Sequence, residues 1–389
     1  MLGLEVHDFG SLGLIVLKSC ESLGARVDQW IKVMREQCHD EVDSYVVPID
    51  QIRFNNGEGK IKLHDTVRGK DLFILCDVGN YSCTYNMFGT VNRMGPDEHF
   101  QDIKRVLSAV AGKAHRVTVM MPLLYGSRQD RRTGRESLDC ALGLQELERL
   151  GVAGILTFDT HNPAVMNAIP LTTFENIYPT YTMLKTFILN EKEVRFDRNH
   201  MTIISPDHGG MGRAVYYANA LSLDVGMYYK RRDLTTVVNG KNPILQHEYI
   251  GSDVAGKDVF IVDDMIASGD SVLDIAKDMS LRGARKIFIA ATFAFFTEGV
   301  EKFNDYYRSG MFTRVYATNL TYLSDEVKAQ PWFCEVDMSK HIAKIITTLN
   351  HDQSISNLLN ATPKIQSLLK QVQEERGIPQ TEQMQLELH

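Results

Sequence analysis

Short, continuously apolar runs recur along the chain and alternate with longer amphipathic stretches. The apolar runs are rich in β-branched residues and predict strands at 72–76, 116–121, 154–158, 201–205, 259–262 and 286–292. The amphipathic stretches predict helices, most clearly at 138–150, 212–221 and 271–281. Strands that are apolar at every position suit sheets covered by helices on both faces. The pattern therefore predicts an α/β protein built on mostly parallel sheets flanked by helices.

One internal similarity predicts that the chain consists of two related halves. The sequence GKDLFILCD at 69–77 returns as GKDVFIVDD at 256–264. Chance similarity between short strands is the alternative interpretation. A polar stretch around residue 190 marks a boundary, which gives an N-terminal half over 1–190 and a C-terminal half over 191–325. Residues 326–389 are polar and helix-prone, and predict a helical tail.

Composition and charge narrow the function classes. The 389 residues hold 42 Lys and Arg against 49 Asp and Glu, a net charge of −7, which gives no global attraction to nucleic acid or to an anionic membrane. Any basic site must be local. We therefore expect neither nucleic acid nor a membrane as a partner.

The cysteines and the apolar runs bear on location. Six cysteines occur without a C-x-x-C pair, which argues against a structural zinc site and against a disulfide framework. No run approaches the roughly 20 apolar residues that cross a bilayer, and the N-terminus lacks the layout of a secretory signal. We expect a cytoplasmic protein.

The sharpest local signal is the sequence VFIVDDMIASGDS at 259–271. At the carboxyl end of a parallel strand, Asp263 and Asp264 would face the crevice where open α/β sheets bind ligands. Carboxylates accept hydrogen bonds from sugar hydroxyls or bind a metal, and the first-turn amides of the next helix can hold a phosphate. The segment predicts a sugar-phosphate site. Solvated strand-end charges followed by a simple helix cap are the alternative.

Four further segments accompany this acidic loop along the chain. They are RFNNGE at 53–58, GSRQDRR at 126–132, TFDTH at 157–161, and SPDHGG at 205–210 followed by KRR at 230–232. In this order the five segments resemble the ribose-phosphate diphosphokinase (phosphoribosyl diphosphate synthetase) family. The resemblance implies two duplicated phosphoribosyltransferase-like domains. It also implies transfer of diphosphate from ATP to the anomeric hydroxyl of ribose 5-phosphate, with Mg²⁺ as cofactor.

The resemblance also implies a role for each matching residue. It implies ATP binding by Arg128, Gln129 and His161, and contact with the adenine of a neighbouring subunit by Phe54, Asn56 and Glu58. It implies ribose 5-phosphate binding by Asp263, Asp264, Ser268, Gly269 and Ser271, and metal binding by His161 and Asp207. Catalysis falls to Lys230 and Arg232, at the start of a segment, 230–246, whose lack of periodicity predicts a mobile loop. A homo-oligomer, a dimer or a hexamer, follows from the shared adenine pocket.

Three positions depart from the family pattern. Asn56 stands where the family commonly has Asp, Ala267 replaces a commonly polar residue, and Asp270 replaces a small one. An acid at 270 would repel a phosphate unless its side chain points away or caps the helix. Two alternatives therefore stay open: a catalytically silent, nucleotide-binding regulatory paralogue, and a phosphoribosyltransferase, which would need neither the RQDR nor the FNNGE segment.

Overall fold

The computed structural model describes residues 8–36, 42–232 and 244–375, and at 230–232 and 244–247 it describes the backbone alone. The strands are β1 (Ser11–Val16), β2 (Ile49–Arg53), β3 (Gly59–Leu63), β4 (Lys70–Leu75), β5 (Thr84–Met87), β6 (Thr90–Arg93), β7 (Arg116–Met120), β8 (Gly154–Phe158), β9 (Thr173–Ile177), β10 (Met201–Ser205), β11 (Asp224–Arg232), β12 (Ile244–Ile250), β13 (Asp258–Ile266), β14 (Lys286–Ala294), β15 (Arg314–Thr318) and β16 (Phe333–Val336). The helices are α1 (Glu21–Glu36), α2 (Pro96–Val110), α3 (Asp139–Arg149), α4 (Thr180–Asn190), α5 (Met211–Leu221), α6 (Asp270–Leu281), α7 (Glu301–Arg308), α8 (Asp325–Lys328), α9 (Ser339–Asn350), α10 (Ser356–Leu359) and α11 (Thr362–Glu375).

Two large sheets organise the molecule. The first has the order β1-β4-β7-β8-β9 and pairs in parallel throughout. The second has the order β12-β11-β10-β13-β14-β15-β16 and is parallel except where β11 meets β12. Five strands of the second sheet thus repeat the order of the first. The predicted fold class, two duplicated α/β halves with mostly parallel sheets, is confirmed.

The duplication extends to an ion pair on a buried aspartate in each half. Asp71 and Asp258, at equivalent positions of the repeated sequence, are both fully buried. Arg116 donates through Nε to Asp71 Oδ1 at 2.8 Å, and Arg285 does the same to Asp258 Oδ1 at 2.8 Å. Each arginine also reaches the second carboxylate oxygen. Because the pairing is two-pronged in both halves, it joins the two equivalent strand pairs in the same way.

A hairpin follows the first strand and helix of each half. In the first half β2 pairs with β3, and in the second β11 pairs with β12. The β2–β3 and β11–β12 strand pairs therefore occupy the same topological place. The prediction of an irregular loop over 230–246 is wrong at both ends, because β11 continues to Arg232 and β12 begins at Ile244. Residues 233–243 lie outside the described residues.

The sequence predicts a helical tail over 326–389, but the C-terminal segment is not purely helical. It contributes β16, which pairs in parallel with β15 at the edge of the second sheet, before α9, α10 and α11 follow. Helix α9 returns to the first half, where Asn350 Nδ2 donates to Asp71 Oδ2 at 3.0 Å and Arg116 donates to the carbonyl of Leu349 at 2.7 Å. The described part of this segment therefore ties the two halves together.

Alternate residues of each central strand enter different apolar clusters. Phe73 and Phe260 belong to one cluster shared by the two halves, in which Phe187 packs against Phe260 with ring centroids 4.4 Å apart. Leu72 and Val259, one residue earlier, enter separate clusters on the opposite faces of their sheets. The fully apolar strands are thus covered on both faces.

Two further expectations concern the cysteines and membrane-spanning helices. The five cysteines within the described residues are all free thiols, and Cys38 lies outside them. In the part of the chain that is described, no helix has both the length and the apolar character needed to span a membrane.

Candidate active site

A cleft of about 410 Å³ opens where strand ends of the two halves meet. Strand β8 of the first half leads to His161, and β13 of the second half carries Asp263 and Asp264 near its carboxyl end. His161 Nδ1 lies 2.9 Å from Asp264 Oδ2. The cleft is therefore built jointly by residues about one hundred positions apart in the chain.

Most of the predicted site residues border this one cleft. They are Arg128, His161, Asp207, Asp263, Asp264, Ser268, Gly269 and Ser271. Gln129 follows Arg128 but is not among the residues that border the cleft, and neither are Phe54, Asn56 and Glu58. Lys230 and Arg232 form the end of β11, and their side chains lie outside the described part of the chain.

The sequence interpretation missed a buried arginine at the floor of the cleft. Arg213, on α5, donates through Nε to both carboxylate oxygens of Asp159, at 2.9 and 3.0 Å. Its Nη1 lies 3.9 Å from Asp263 Oδ1 and its Nη2 lies 4.0 Å from Asp264 Oδ2. Arg213 therefore joins β8 of the first half to the acidic pair of the second.

Both members of this additional pair stood next to recognised motifs. Asp159 lies within TFDTH, the motif that predicts a role for His161, and Arg213 comes three residues after SPDHGG. Asp159 is buried and also accepts a hydrogen bond from Thr292 Oγ1. A buried carboxylate requires a partner, so an acid directly after an apolar strand is the signal that points to a nearby cation.

The two neighbouring carboxylates of the cleft differ in acidity. Burial, followed by the charge of Asp264, raises the pKa of Asp263 well above its usual range. Burial also acts to raise the pKa of Asp264, but the hydrogen bond with His161 and the charge of Arg213 outweigh it and hold that pKa below its usual range. The same hydrogen bond raises the pKa of His161. Asp264 is consequently the more acidic of the two, and carboxyl oxygens of both residues can accept hydrogen bonds from ligand hydroxyls.

The turn between β13 and α6 has the shape of an anion site. Gly269 has φ +93°, and a Cβ there would stand 2.3 Å from the Phe303 ring, so only glycine fits. Helix α6 begins at Asp270, and its first amides lack intrahelical partners. The buried Oγ of Ser271 has no hydrogen-bond partner among the described residues. These groups leave donors available for a phosphate.

The FNNGE segment forms the turn of the β2–β3 hairpin, away from the cleft of its own chain. Phe54 is 47% exposed. Asn56 Nδ2 donates to Glu58 Oε2 at 2.9 Å, and Asn56 Oδ1 accepts from the Glu58 amide at 3.1 Å. An aspartate at 56 would place two carboxylates side by side, so asparagine stabilises this turn where the family commonly has Asp.

Comparison with protein families now adds an independent observation. Residues 14–151 match the N-terminal domain of ribose phosphate pyrophosphokinase, and residues 175–319 match the phosphoribosyl transferase domain. The chain belongs to the ribose-phosphate pyrophosphokinase family. The match to the pyrophosphokinase N-terminal domain does not favour the phosphoribosyltransferase alternative.

Curated members of the family cover most of the chain at modest identity. The ribose-phosphate pyrophosphokinase of Vibrio cholerae is 27% identical over 312 residues, which are 79% of this chain and 90% of the relative. The Chromobacterium violaceum enzyme is 28% identical over 312 residues, 79% of this chain and 86% of the relative. The chain is also similar in fold to phosphoribosylpyrophosphate synthetase from Mycobacterium smegmatis, with a TM-score of 0.70 and 19% identity over 88% of this chain and 99% of that one.

Proposed function

We propose that the protein transfers the diphosphoryl group of ATP to the anomeric hydroxyl of ribose 5-phosphate, giving phosphoribosyl diphosphate and AMP. One observation carries the proposal. His161 of the first half, ten residues beyond the segment that matches the pyrophosphokinase N-terminal domain, meets Asp264, within the segment that matches the phosphoribosyl transferase domain, at 2.9 Å in a single cleft. Such a cleft can hold a nucleotide and a sugar phosphate side by side.

The second half would bind the sugar phosphate. Asp263 and Asp264 accept hydrogen bonds from the ribose hydroxyls. The 5-phosphate lies in the turn before α6, where the helix amides and the Ser271 hydroxyl donate. The turn also contains Ser268 and Gly269. Arg213 holds the acidic pair from below and offsets part of its charge.

The first half would bind ATP, with help from a second subunit. Arg128 borders the cleft and offers paired donors to the triphosphate, and Gln129 beside it completes this contact. The resemblance assigns Phe54, Asn56 and Glu58 to the adenine of a neighbouring subunit, and the exposed turn that holds them does not border its own cleft. A homo-oligomer, a dimer or a hexamer, follows, and a cytoplasmic location is part of the same proposal.

The residues at the cleft suit Mg²⁺ as the cofactor. His161 and Asp207 both border it, and Asp207 Oδ1 accepts from the Gly210 amide at 3.0 Å. Across the described ranges, no three His, Cys, Asp or Glu side chains are arranged to hold a metal by themselves. Mg²⁺ prefers oxygen and keeps several waters and phosphate oxygens as ligands, so one or two protein ligands suffice. When bound, Mg²⁺ supplies charge neutralisation on the triphosphate.

The chemistry would require no covalent enzyme intermediate. The anomeric oxygen attacks the β-phosphorus in line, and AMP leaves. Lys230 and Arg232 neutralise the charge that develops on the bridging and leaving oxygens. Their backbone at the end of β11 lies one strand away from β10, whose carboxyl end leads to Asp207.

Lys230 gives the direct test of this proposal. AMP and phosphoribosyl diphosphate are measured after mixing ATP, ribose 5-phosphate and Mg²⁺ with the wild type and with Lys230→Ala. We expect equal amounts of both products from the wild type. In the variant we expect kcat to fall by about two orders of magnitude or more while ribose 5-phosphate affinity stays within about threefold, because the lost interaction acts in the transition state.

The same assay identifies failure. A wild type that binds ATP and ribose 5-phosphate but forms no AMP would overturn the proposal in favour of the silent paralogue. ADP in place of AMP would show transfer of a single phosphoryl group and would also overturn it.

A further inference from the structure

An acidic residue follows directly on the turn that would bind the 5-phosphate, yet its side chain does not border the cleft. Asp270 is the first residue of α6 and is not among the residues that border the cleft. Its Oδ2 accepts a hydrogen bond from Ser268 Oγ at 3.0 Å. Its Oδ1 pairs with the ammonium group of Lys302 on the neighbouring helix α7. The carboxylate is therefore held on the outer side of the turn.

The charges around this point are unbalanced without Lys302. Asp274 lies one helical turn after Asp270 and also acts on Lys302, so two acids of α6 face one lysine of α7. The hydrogen bonds from Lys302 and Ser268 hold the pKa of Asp270 below its usual range, which keeps its negative charge in place. A phosphate bound in this turn by the α6 amides and the Ser271 hydroxyl would lie within a few residues of that charge.

A dianion next to an unpaired carboxylate is repelled, and the repulsion is only partly screened by water. The Asp270–Lys302 pair is about half exposed, with 50% and 44% of the two side chains accessible. An ordinary exposed pair contributes little to stability. The position of the Asp270–Lys302 pair affects binding, because the pair sets the net charge near the phosphate and the orientation of the Asp270 side chain.

We propose that Lys302 sets the affinity for the sugar phosphate as a positioning residue: it neutralises Asp270 and holds its carboxylate outside the phosphate turn. The inference rests on the proposed function and deepens it, since it explains how this chain accommodates an acid where the family commonly has a small residue. Lys302 does not contact the substrate in this account. It acts through Asp270.

Direct binding and turnover, measured in parallel, test this role. Ribose 5-phosphate is titrated by calorimetry into the wild type, Lys302→Met, Asp270→Asn and the double variant, and kcat and the KM for ATP are determined for each. We expect Lys302→Met to weaken ribose 5-phosphate binding by about tenfold. We expect kcat and the KM for ATP to stay within about twofold.

Rescue separates this role from a direct contact or a structural one. Asp270→Asn alone should bind ribose 5-phosphate at least as tightly as the wild type, and Asp270→Asn combined with Lys302→Met should bind within about threefold of Asp270→Asn, because the carboxylate through which Lys302 acts is absent. Lys302→Arg should keep the wild-type affinity. Lys277→Met is the matched control, since Lys277 is an exposed lysine of α6 outside the cleft, and it should leave binding unchanged.

Two results would overturn the inference. An unchanged dissociation constant in Lys302→Met would show that the pair has no role in binding, and a tenfold loss that Asp270→Asn does not rescue would show that Lys302 does not act through Asp270. Either result leaves the proposed function standing if the wild type forms AMP. A wild type that binds ribose 5-phosphate without forming AMP would reject the function while the binding series still decides the role of Lys302.

Discussion

Asp77 and Asp264 occupy the same position in the two halves, but only Asp264 faces the active-site cleft. Each is the last residue of the repeated sequence at 69–77 and 256–264. Asp264 Oδ2 meets His161 across the cleft. Asp77 Oδ2 accepts from Thr321 Oγ1 and from the Tyr322 amide, both at 3.0 Å. Each carboxylate thus contacts the other half, Asp264 at the cleft and Asp77 at protein groups that already satisfy it.

This difference predicts opposite outcomes for two matched substitutions. Asp264→Asn should lower kcat/KM for ribose 5-phosphate by about two orders of magnitude, because an ionised acceptor for the sugar hydroxyls is lost. Asp77→Asn should leave kcat/KM within about threefold of the wild-type value. In the described part of the chain, the Asp77 carboxylate accepts hydrogen bonds from protein groups and does not border the cleft. Steady-state kinetics at pH 8 compare both variants with the wild type. At this pH Asp77 of the wild type is ionised, since burial raises its pKa only to about 7. Equal losses in the two variants would contradict the asymmetry.

Loss of the Arg213 side chain should lower the stability of the protein strongly. Arg213→Met leaves Asp159 buried without its cation and removes the positive charge near Asp263 and Asp264, so the free energy of unfolding should fall by about 3–5 kcal/mol. Arg308→Met is the control, because Arg308 pairs with Asp305 on the exposed face of α7, and it should cost no more than about 1 kcal/mol. Urea unfolding of both variants measures the difference. Similar losses would show that the buried pair has no special weight.

Much of the fold follows from the sequence because its central strands are buried on both faces. The runs at 154–158 and 201–205 agree with β8 and β10 residue for residue. The β2–β3 and β5–β6 hairpins were not predicted, because their strands are mostly polar and partly exposed. The sequence predicts a helical tail where strand β16 lies, since the four residues of that strand carry little pattern of their own.

The sequence predicts the residues of the cleft that lie within single motifs. The phosphate turn and His161 each follow a strand, the acidic pair lies near the carboxyl end of β13, and parallel strands end at one edge of a sheet. Arg213 was not predicted because its partners, Asp159 and the acidic pair, come together only when the two halves pack. The pairing of Asp270 with Lys302 depends in the same way on the packing of α6 against α7.

His341 predicts a pH dependence of stability. Burial, together with the nearby charges of Lys364 and Lys344, lowers the pKa of His341 to about 4. The unfolded chain takes up this proton near pH 6.5 and the folded chain only near pH 4, so stability is lost as the pH falls between these values. At pH 5 the loss should be about 2 kcal/mol relative to pH 8.

Unfolding of the wild type and His341→Leu at pH 8 and pH 5 isolates this contribution. The variant should lose about 2 kcal/mol less than the wild type on acidification, because leucine takes up no proton. An identical loss in both proteins would show that other groups cause the acid sensitivity.

The shared adenine site predicts complementation between two defective variants. Phe54→Ala should impair the cleft of a neighbouring subunit, and Lys230→Ala should impair its own cleft. When the two inactive proteins are unfolded together and refolded, mixed oligomers should regain up to about one quarter of the wild-type activity, because some clefts receive both intact residues. Activity no higher than that of the separately refolded variants would place Phe54 outside a shared site.

The transfer of an intact diphosphoryl group is the central claim, and isotope tracing tests it most directly. The wild type is mixed with ribose 5-phosphate, Mg²⁺ and ATP labelled at the β-phosphorus, and the products are separated. The label should appear in the diphosphate of phosphoribosyl diphosphate, next to the anomeric oxygen, while the AMP formed carries none. Label retained in ADP or released as free diphosphate without sugar product would contradict the claim.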